Sequence, residues 1–248
     1  MKDKLEKLRE IICRSKRIVF FGGAGVSTAS GIPDFRSDSG LYAEEDDGLS
    51  PEMILSRSFF FLQPERFFHF YRTYMLHPEA VPNAAHRYLC ELEKQDKLRG
   101  IVTQNIDGLH RKAGNIRVYE LHGNINENYC MECNAAYPME KILFSQDIPR
   151  CECGGVIKPN VVLYGEPLEK YVCIGARREI TNAVTLIVAG TSLTVEPAAS
   201  FIEDFSGKDL VVINNSPIRA DERATLLICG DVAEVFSLLQ TDNLSGTT

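Results

Sequence analysis

The chain has 248 residues, 44% of them hydrophobic and 25% charged, with a formal net charge of −7. This supplies apolar side chain for one large domain or a large and a small one. The acidic balance argues against a sequence-independent nucleic-acid binder, which would be basic, and suits basic, lysine-rich protein partners. No segment reaches the roughly 18 continuous apolar residues of a membrane span. The opening MKDKLEKLREIICRSK is charged and unlike a secretory leader, so a cytoplasmic location is expected.

In chain order, Leu5, Leu8, Ile11 and Ile12 recur at helical spacing and predict an amphipathic opening helix. RIVFFGGAG follows, a β-branched and aromatic run stopping at glycines, as a buried parallel strand feeding a tight loop does. Further strands are expected at GIVTQN (100–105), VYELHG (118–123), VTLIVAG (184–190), DLVVIN (209–214) and TLLICG (225–230). Helical patterns occupy 84–95 and 196–205, and DVAEVFSLL forms a closing helix. This alternation predicts a doubly wound parallel α/β sheet. Two stretches interrupt it. Residues 41–83 run from an acidic segment into SRSFFFLQPERFFHFYRTYML, expected to form short packed helices, and 127–160 hold a cysteine cluster. The remaining cysteines, Cys13, Cys90, Cys173 and Cys229, read as buried small hydrophobes, since eight cysteines in a chain this long do not make a disulfide scaffold.

Three motifs carry chemistry. In GGAGVSTASGIPDFR, Gly23 and Gly25 let the backbone approach a pyrophosphate, and a following helix N-terminus would favour the anion. The third glycine of a dehydrogenase fingerprint is replaced by Thr28, and the acidic Glu44 and Glu45 do not end a strand, so hydride transfer fits poorly. In TQNIDGLH, Gln104, Asn105 and Asp107 stand at a strand end and suit a ribose and an amide, although Asn105 or Asp107 could equally cap a helix. His122, between a strand and Gly123, is a better candidate general base than His69, His77, His86 or His110, of which His86 could cap or pack. Cys130-x2-Cys133, seventeen residues, then Cys151-x-Cys153 followed by Gly154-Gly155 reads as a zinc ribbon. Four thiolates fill the coordination sphere, so the zinc would be structural.

Taken in order, GAGVSTASGIPDFR, TQNIDGLH, LHG, the four cysteines, KPNVVLYGE, AGTSLTVEPAA and VVINNSP resemble the sirtuin family of NAD-dependent protein deacylases, from about Leu5 to Leu239. The resemblance implies a Rossmann-like part of about 1–40, 84–126 and 161–248. A small domain would join the helical insert 41–83 to the zinc ribbon 127–160. It implies NAD as a consumed co-substrate, one structural zinc ion, and acyl-lysine proteins as substrates. Gly23, Ala24, Gly25, Thr28, Asp34, Phe35 and Arg36 would form the NAD loop, and Gln104, Asn105, Ile106 and Asp107 the nicotinamide and ribose pocket. Gly190, Thr191 and Ser192 would hold phosphate and adenosine, Asn214 the adenine ribose, and Asp231 and Val232 would lie beside adenine. Val162, Leu163, Tyr164 and Gly165 would pair with the substrate backbone, opposite a wall of Leu193 to Val195.

Catalysis is expected from His122 with Asn105 and Asp107: the acyl oxygen attacks the anomeric carbon as nicotinamide leaves, and His122 takes a proton from a ribose hydroxyl. Free lysine, nicotinamide and O-acyl-ADP-ribose result. Phe68 and Tyr71 fall where relatives that prefer acidic acyl groups carry a tyrosine and an arginine, so acetyl or longer neutral groups are expected over succinyl. A monomer is the working expectation. The competing reading on the same fold is an ADP-ribosyltransferase or NAD hydrolase, against which VVLYGE and His122 argue.

Overall fold

The structure, a computed structural model, describes residues 1–34 and 48–241. Phe35, Arg36 and most of the acidic run lie outside the described residues. The elements are α1 (Lys2–Arg14), β1 (Ile18–Gly22), α2 (Pro51–Ile54), α3 (Arg57–Leu62), α4 (Pro64–Phe70), α5 (Ala84–Lys94), β2 (Leu98–Thr103), α6 (Leu109–Lys112), β3 (Val118–Glu120), β4 (Gly123–Cys130), β5 (Ala136–Tyr137), α7 (Met139–Leu143), β6 (Ile157–Val161), α8 (Lys170–Thr181), β7 (Thr185–Ala189), β8 (Asp209–Asn214), β9 (Leu226–Cys229) and α9 (Val232–Thr241). Among these helices none is long and apolar enough to cross a membrane.

All six expected parallel strands form, in the order β3-β2-β1-β7-β8-β9. Counting only these six along the chain, that is the 3-2-1-4-5-6 order of a Rossmann sheet, with its topological switch between β1 and β7. β1 and β7 are buried at every residue because helices cover both faces. Alternation sorts their side chains: Ile18 and Phe20 pack with α1, α5 and α9, whereas Val19 and Phe21 pack with α8 and the 198–204 segment.

Local chemistry sets the helix starts. Asn83 accepts the Ala85 N–H, and the His86 ring accepts the Asn83 N–H in return, closing a capping box on α5. His86 is therefore a cap. Glu169 caps α8 by accepting the Val172 N–H. Two helical expectations are corrected. The stretch 196–205 forms a tight 3-10 segment, Ala198–Asp204, entered from Pro197 with the Ser200 hydroxyl bonded to the Pro197 carbonyl, a local bond that competes with an α-helical start. The glycine loop leads into two 3-10 turns, Ala24–Val26 and Thr28–Ser30, ended by Gly31 at φ 83°; its short run of β-branched and hydroxyl residues does not build an α-helix, so no α-helix N-terminus follows β1 directly.

The second part has its own core. Phe59, Phe60, Phe67, Phe68, Phe70 and Tyr71 of the helical insert pack in one cluster with Ile125, Cys130, Ile142, Ile157 and Leu163 of the ribbon side. The small antiparallel sheet runs β5-β4-β6. It begins at Gly123, directly after His122, where φ is +80° and an added Cβ would lie 2.0 Å from the Asn160 carbonyl oxygen. Only glycine lets the chain turn there from the large sheet into the small one.

Candidate active site

The main cleft, about 480 Å³, opens at the carboxyl ends of β1, β2, β7 and β8, over the switch point. Gly23, Ala24, Gly25 and Asp34 line it, with Gln104, Asn105, Ile106, His122, Gly190, Thr191, Ser192, Asn214 and Val232, and on the far wall Val162, Leu163, Tyr164 and Gly165. Residues expected to serve one site from seven separate segments are thus brought together. Gly23 packs so closely on the 190–191 turn that a Cβ would sit 2.8 Å from the Gly190 carbonyl oxygen, which gives this loop the tight backbone cradle a pyrophosphate requires.

The polar floor is cross-linked. Gln104 donates its N–H to the Gly22 carbonyl (3.0 Å) and its side chain to Thr191 Oγ1 (2.9 Å). The Ser27 hydroxyl donates to Asp107 Oδ2 (2.7 Å) and accepts from Asn105 Nδ2 (3.0 Å). Asp107 also accepts the Leu109 N–H at the start of α6 (2.8 Å), where Gly108 holds the N-cap position. Burial pushes its carboxyl pKa up, against the pull of these donors. Beside it, a recess of about 40 Å³ is lined by Ala24, Ser27, His77, Asn105 and Asp107.

His122 Nδ1 lies 2.9 Å from the Gln104 carbonyl oxygen. A carbonyl can only accept, so Nδ1 carries the proton and Nε2 of the neutral ring keeps a lone pair. Burial lowers the His122 pKa, and the Gln104 carbonyl partly raises it. The balance favours the neutral imidazole, the form a general base needs.

Other expected residues sit elsewhere. Thr28 braces the glycine loop through the Gly25 carbonyl (3.2 Å), and Asp231 accepts the Glu234 N–H (2.8 Å) at the start of α9. The Leu193 side chain, at 2% exposure, packs into the core, while Val195 and Glu196 line the cleft. Tyr71 lines the apolar end with Leu55 and Met75, and Phe68 lies in the core behind it. Among the described residues no lysine or arginine lines the cleft.

The sequence reading passed over three contributors. Ser27 bridges Asn105 and Asp107, Asn83 donates to the Val26 carbonyl (2.8 Å) and Ser30 Oγ (3.0 Å), and Glu166 lines the cleft. The partners of Ser27 and Asn83 are more than fifty residues away in sequence, whereas Glu166 bonds to Leu163 and Lys158 close by. Three cysteines also depart from the expectation: Cys13 and Cys229 are exposed, and Cys173 is half-buried. Their helix-face and strand-end positions let the thiol face outward, which periodicity around a single residue does not reveal.

Cys130, Cys133, Cys151 and Cys153 place their four Sγ atoms within 4.8 Å of one another. The Cys130–Cys153 and Cys133–Cys151 separations are both 3.5 Å, close to the roughly 3.8 Å edge of a tetrahedron with zinc–sulfur bonds of about 2.3 Å. The set fits one structural zinc ion. Gly154 turns at φ +87° and Gly155 sits where a Cβ would lie 2.7 Å from Cys130 Sγ, which is how the tight Cys-x-Cys pair reaches the site.

A Rossmann sheet with a polar cleft at its switch point, a half-buried imidazole at the edge of that cleft and a closed four-cysteine ribbon together define a nucleotide-using enzyme with a structural metal. The Sir2 family model matches residues 23–197, and the chain belongs to the Sir2, or sirtuin, family. An NAD-dependent protein deacetylase of Clostridium perfringens is 52% identical, over 95% of this chain and 98% of its own. One of Staphylococcus aureus is 45% identical, over 98% of this chain and 100% of its own. Among solved structures, a Sir2 complex with deacetylated p53 peptide and 3'-O-acetyl ADP ribose has 36% identity and a TM-score of 0.88, covering 96% of this chain and 98% of that one. A Sir2 complex with p53 peptide and NAD+ has 36% identity and a TM-score of 0.85, covering 98% and 99%.

Proposed function

We propose that this cleft removes acyl groups from protein lysine in an NAD-dependent reaction, passing the acyl group to ADP-ribose and releasing nicotinamide. The observation that carries the reading is the position of His122. Its ring is oriented by the Gln104 carbonyl, and it lines one cleft with the glycine loop on one side and the 162–165 segment on the other. The relatives named as NAD-dependent protein deacetylases, and the Sir2 structures with peptide, support the same reading.

When bound, NAD supplies a labile bond to nicotinamide and a ribose whose hydroxyl takes the acyl group. Gly23, Ala24, Gly25, Gly190, Thr191 and Ser192 hold its phosphates and adenosine side, and Asn214 and Val232 lie toward the adenine end. Asn105 and Asp107, tied together through Ser27, bound the nicotinamide pocket with Ile106. His122 Nε2 accepts a proton from the hydroxyl; burial, by keeping the ring neutral, makes that lone pair available near pH 7. Leu55, Tyr71 and Met75 exclude water from the acyl end. With no lysine or arginine there among the described residues, the pocket takes acetyl and longer neutral groups in preference to succinyl.

The zinc ribbon holds the small sheet and takes no part in the chemistry. The enzyme acts as a monomer in the cytoplasm, with nicotinamide as product and inhibitor. Mass spectrometry of acetyl-lysine and succinyl-lysine peptides, with and without NAD, tests the reading. Mass loss that needs both NAD and acetyl-peptide is expected; nicotinamide release that ignores the peptide would favour an NAD hydrolase or ADP-ribosyltransferase.

A further inference from the structure

We infer that Glu166, held by Lys158, is a positioning residue that closes Leu163 to main-chain recognition of the peptide substrate and leaves Gly165 open to it. This rests on the deacylase reading and says how the peptide wall of that site is set.

The backbone groups of 162–165 are divided between two edges. The Val162 N–H donates to the His122 carbonyl (2.9 Å), the Tyr164 N–H to the Leu55 carbonyl (3.0 Å), and the Tyr164 carbonyl accepts the Arg57 N–H (2.9 Å). Successive residues of extended chain turn these groups to opposite sides, so these bonds take up three of the four main-chain groups on the edge facing His122 and the helical insert, the Val162 carbonyl being the fourth. On the other edge the Leu163 N–H donates to Glu166 Oε2 (3.0 Å), and the Leu163 carbonyl accepts the Glu166 N–H (2.9 Å). Leu163 is therefore closed off by Glu166 at both its donor and its acceptor. Within 162–165, Gly165 is the residue that keeps both its N–H and its carbonyl free among the described residues, and it is exposed at the cleft wall.

Glu166 stays in place because of Lys158, which is only 5% exposed. The ammonium donates to the Val161 carbonyl (3.1 Å), the Pro159 carbonyl (3.3 Å) and Glu166 Oε2 (3.1 Å), three acceptors for three donors. The pair thus clamps both ends of the segment, from β6 to the turn after Gly165. Removing one partner leaves a buried charge uncompensated, whereas removing both charges together does not.

The test is steady-state kinetics of acyl-peptide-dependent nicotinamide release, with the peptide and NAD varied separately. Glu166→Ala is expected to raise the peptide KM about tenfold while kcat and the NAD KM stay within about twofold. The double variant Lys158→Met with Glu166→Gln keeps an acceptor for the Leu163 N–H and removes both charges, so it should return the peptide KM close to wild type. A Glu166→Ala peptide KM equal to wild type overturns the inference, as does an equal rise in both KM values. A double variant that stays impaired, with a loss that follows the charge of the peptide, makes Glu166 a direct substrate contact and also overturns it. Wild-type protein with no peptide-dependent release would defeat the deacylase reading itself, a result distinct from active wild type with unaffected variants.

Discussion

The large and small sheets of this protein are held together by different means. β1 and β7 bury every residue between two helical layers, and their side chains are almost entirely aliphatic or aromatic. β4 buries only Asn124, Ile125, Asn128 and Cys130, and β5 has two residues. An antiparallel ribbon with so little apolar surface needs another tether, and four thiolates supply it. The aromatic insert packs against this sheet, with Phe60 and Phe67 edge to face at 4.9 Å and Phe67 stacked on Tyr71 at 5.6 Å. The cleft lies on the seam: His122 ends the large-sheet segment, Gly123 begins the small sheet, and β6 leads from the ribbon into the 162–165 wall of the cleft.

Metal removal should separate the two parts most sharply. Zinc-finger peptides derive roughly 10–16 kcal/mol from a structural zinc ion, so a chelator, or Cys151→Ser, should abolish turnover. Hydrogen exchange should then rise in β4 to β6 while amides of β1, β2, β7 and β8 stay protected. Equal loss of protection in both sheets would mean that they form one cooperative unit.

His122→Ala addresses the seam itself. We expect kcat to fall about 10²–10⁴-fold with little change in Tm, because the ring contributes a proton acceptor and not core packing. The pH profile provides an independent check on the same residue. The base works as neutral imidazole, and burial holds its pKa below the ordinary histidine value, so the acid limb of kcat/KM should fall below pH 6.5 and activity should persist through neutral pH. An acid limb centred above 7 would assign the base to another group.

Two smaller effects sharpen the contrast in packing. Phe67→Ala, at a fully buried ring, should cost about 3–5 kcal/mol, read as a lower denaturation midpoint of the small domain. Asn83→Ala removes the α5 cap and the anchor on Val26, and should cost about 0.5–2 kcal/mol while raising the NAD KM and leaving the peptide KM unchanged. Isothermal titration with NAD would measure the second consequence directly.

Much of this was legible in the chain. The six parallel strands announced themselves as short apolar runs ending at glycine or polar residues, and the cysteine spacing identified the ribbon, because both signals are local. Asp107 shows where local reading stops: its carboxylate accepts the Leu109 N–H two residues away and the Ser27 hydroxyl eighty residues away. Ser27 and Asn83 escaped notice for that reason. Their importance lies in partners the sequence does not place beside them.

The sequence by itself determined which segments become strands, where the metal ligands stand and which family the chain resembles, since these follow from periodicity, propensity and spacing along one stretch of chain. Only the tertiary structure decided which backbone amides remain free at the peptide wall, which nitrogen of His122 carries the proton and which loop residues become 3-10 turns. Those outcomes depend on hydrogen bonds between distant segments and on desolvation at the cleft, and neither is a property of any residue's neighbours in sequence.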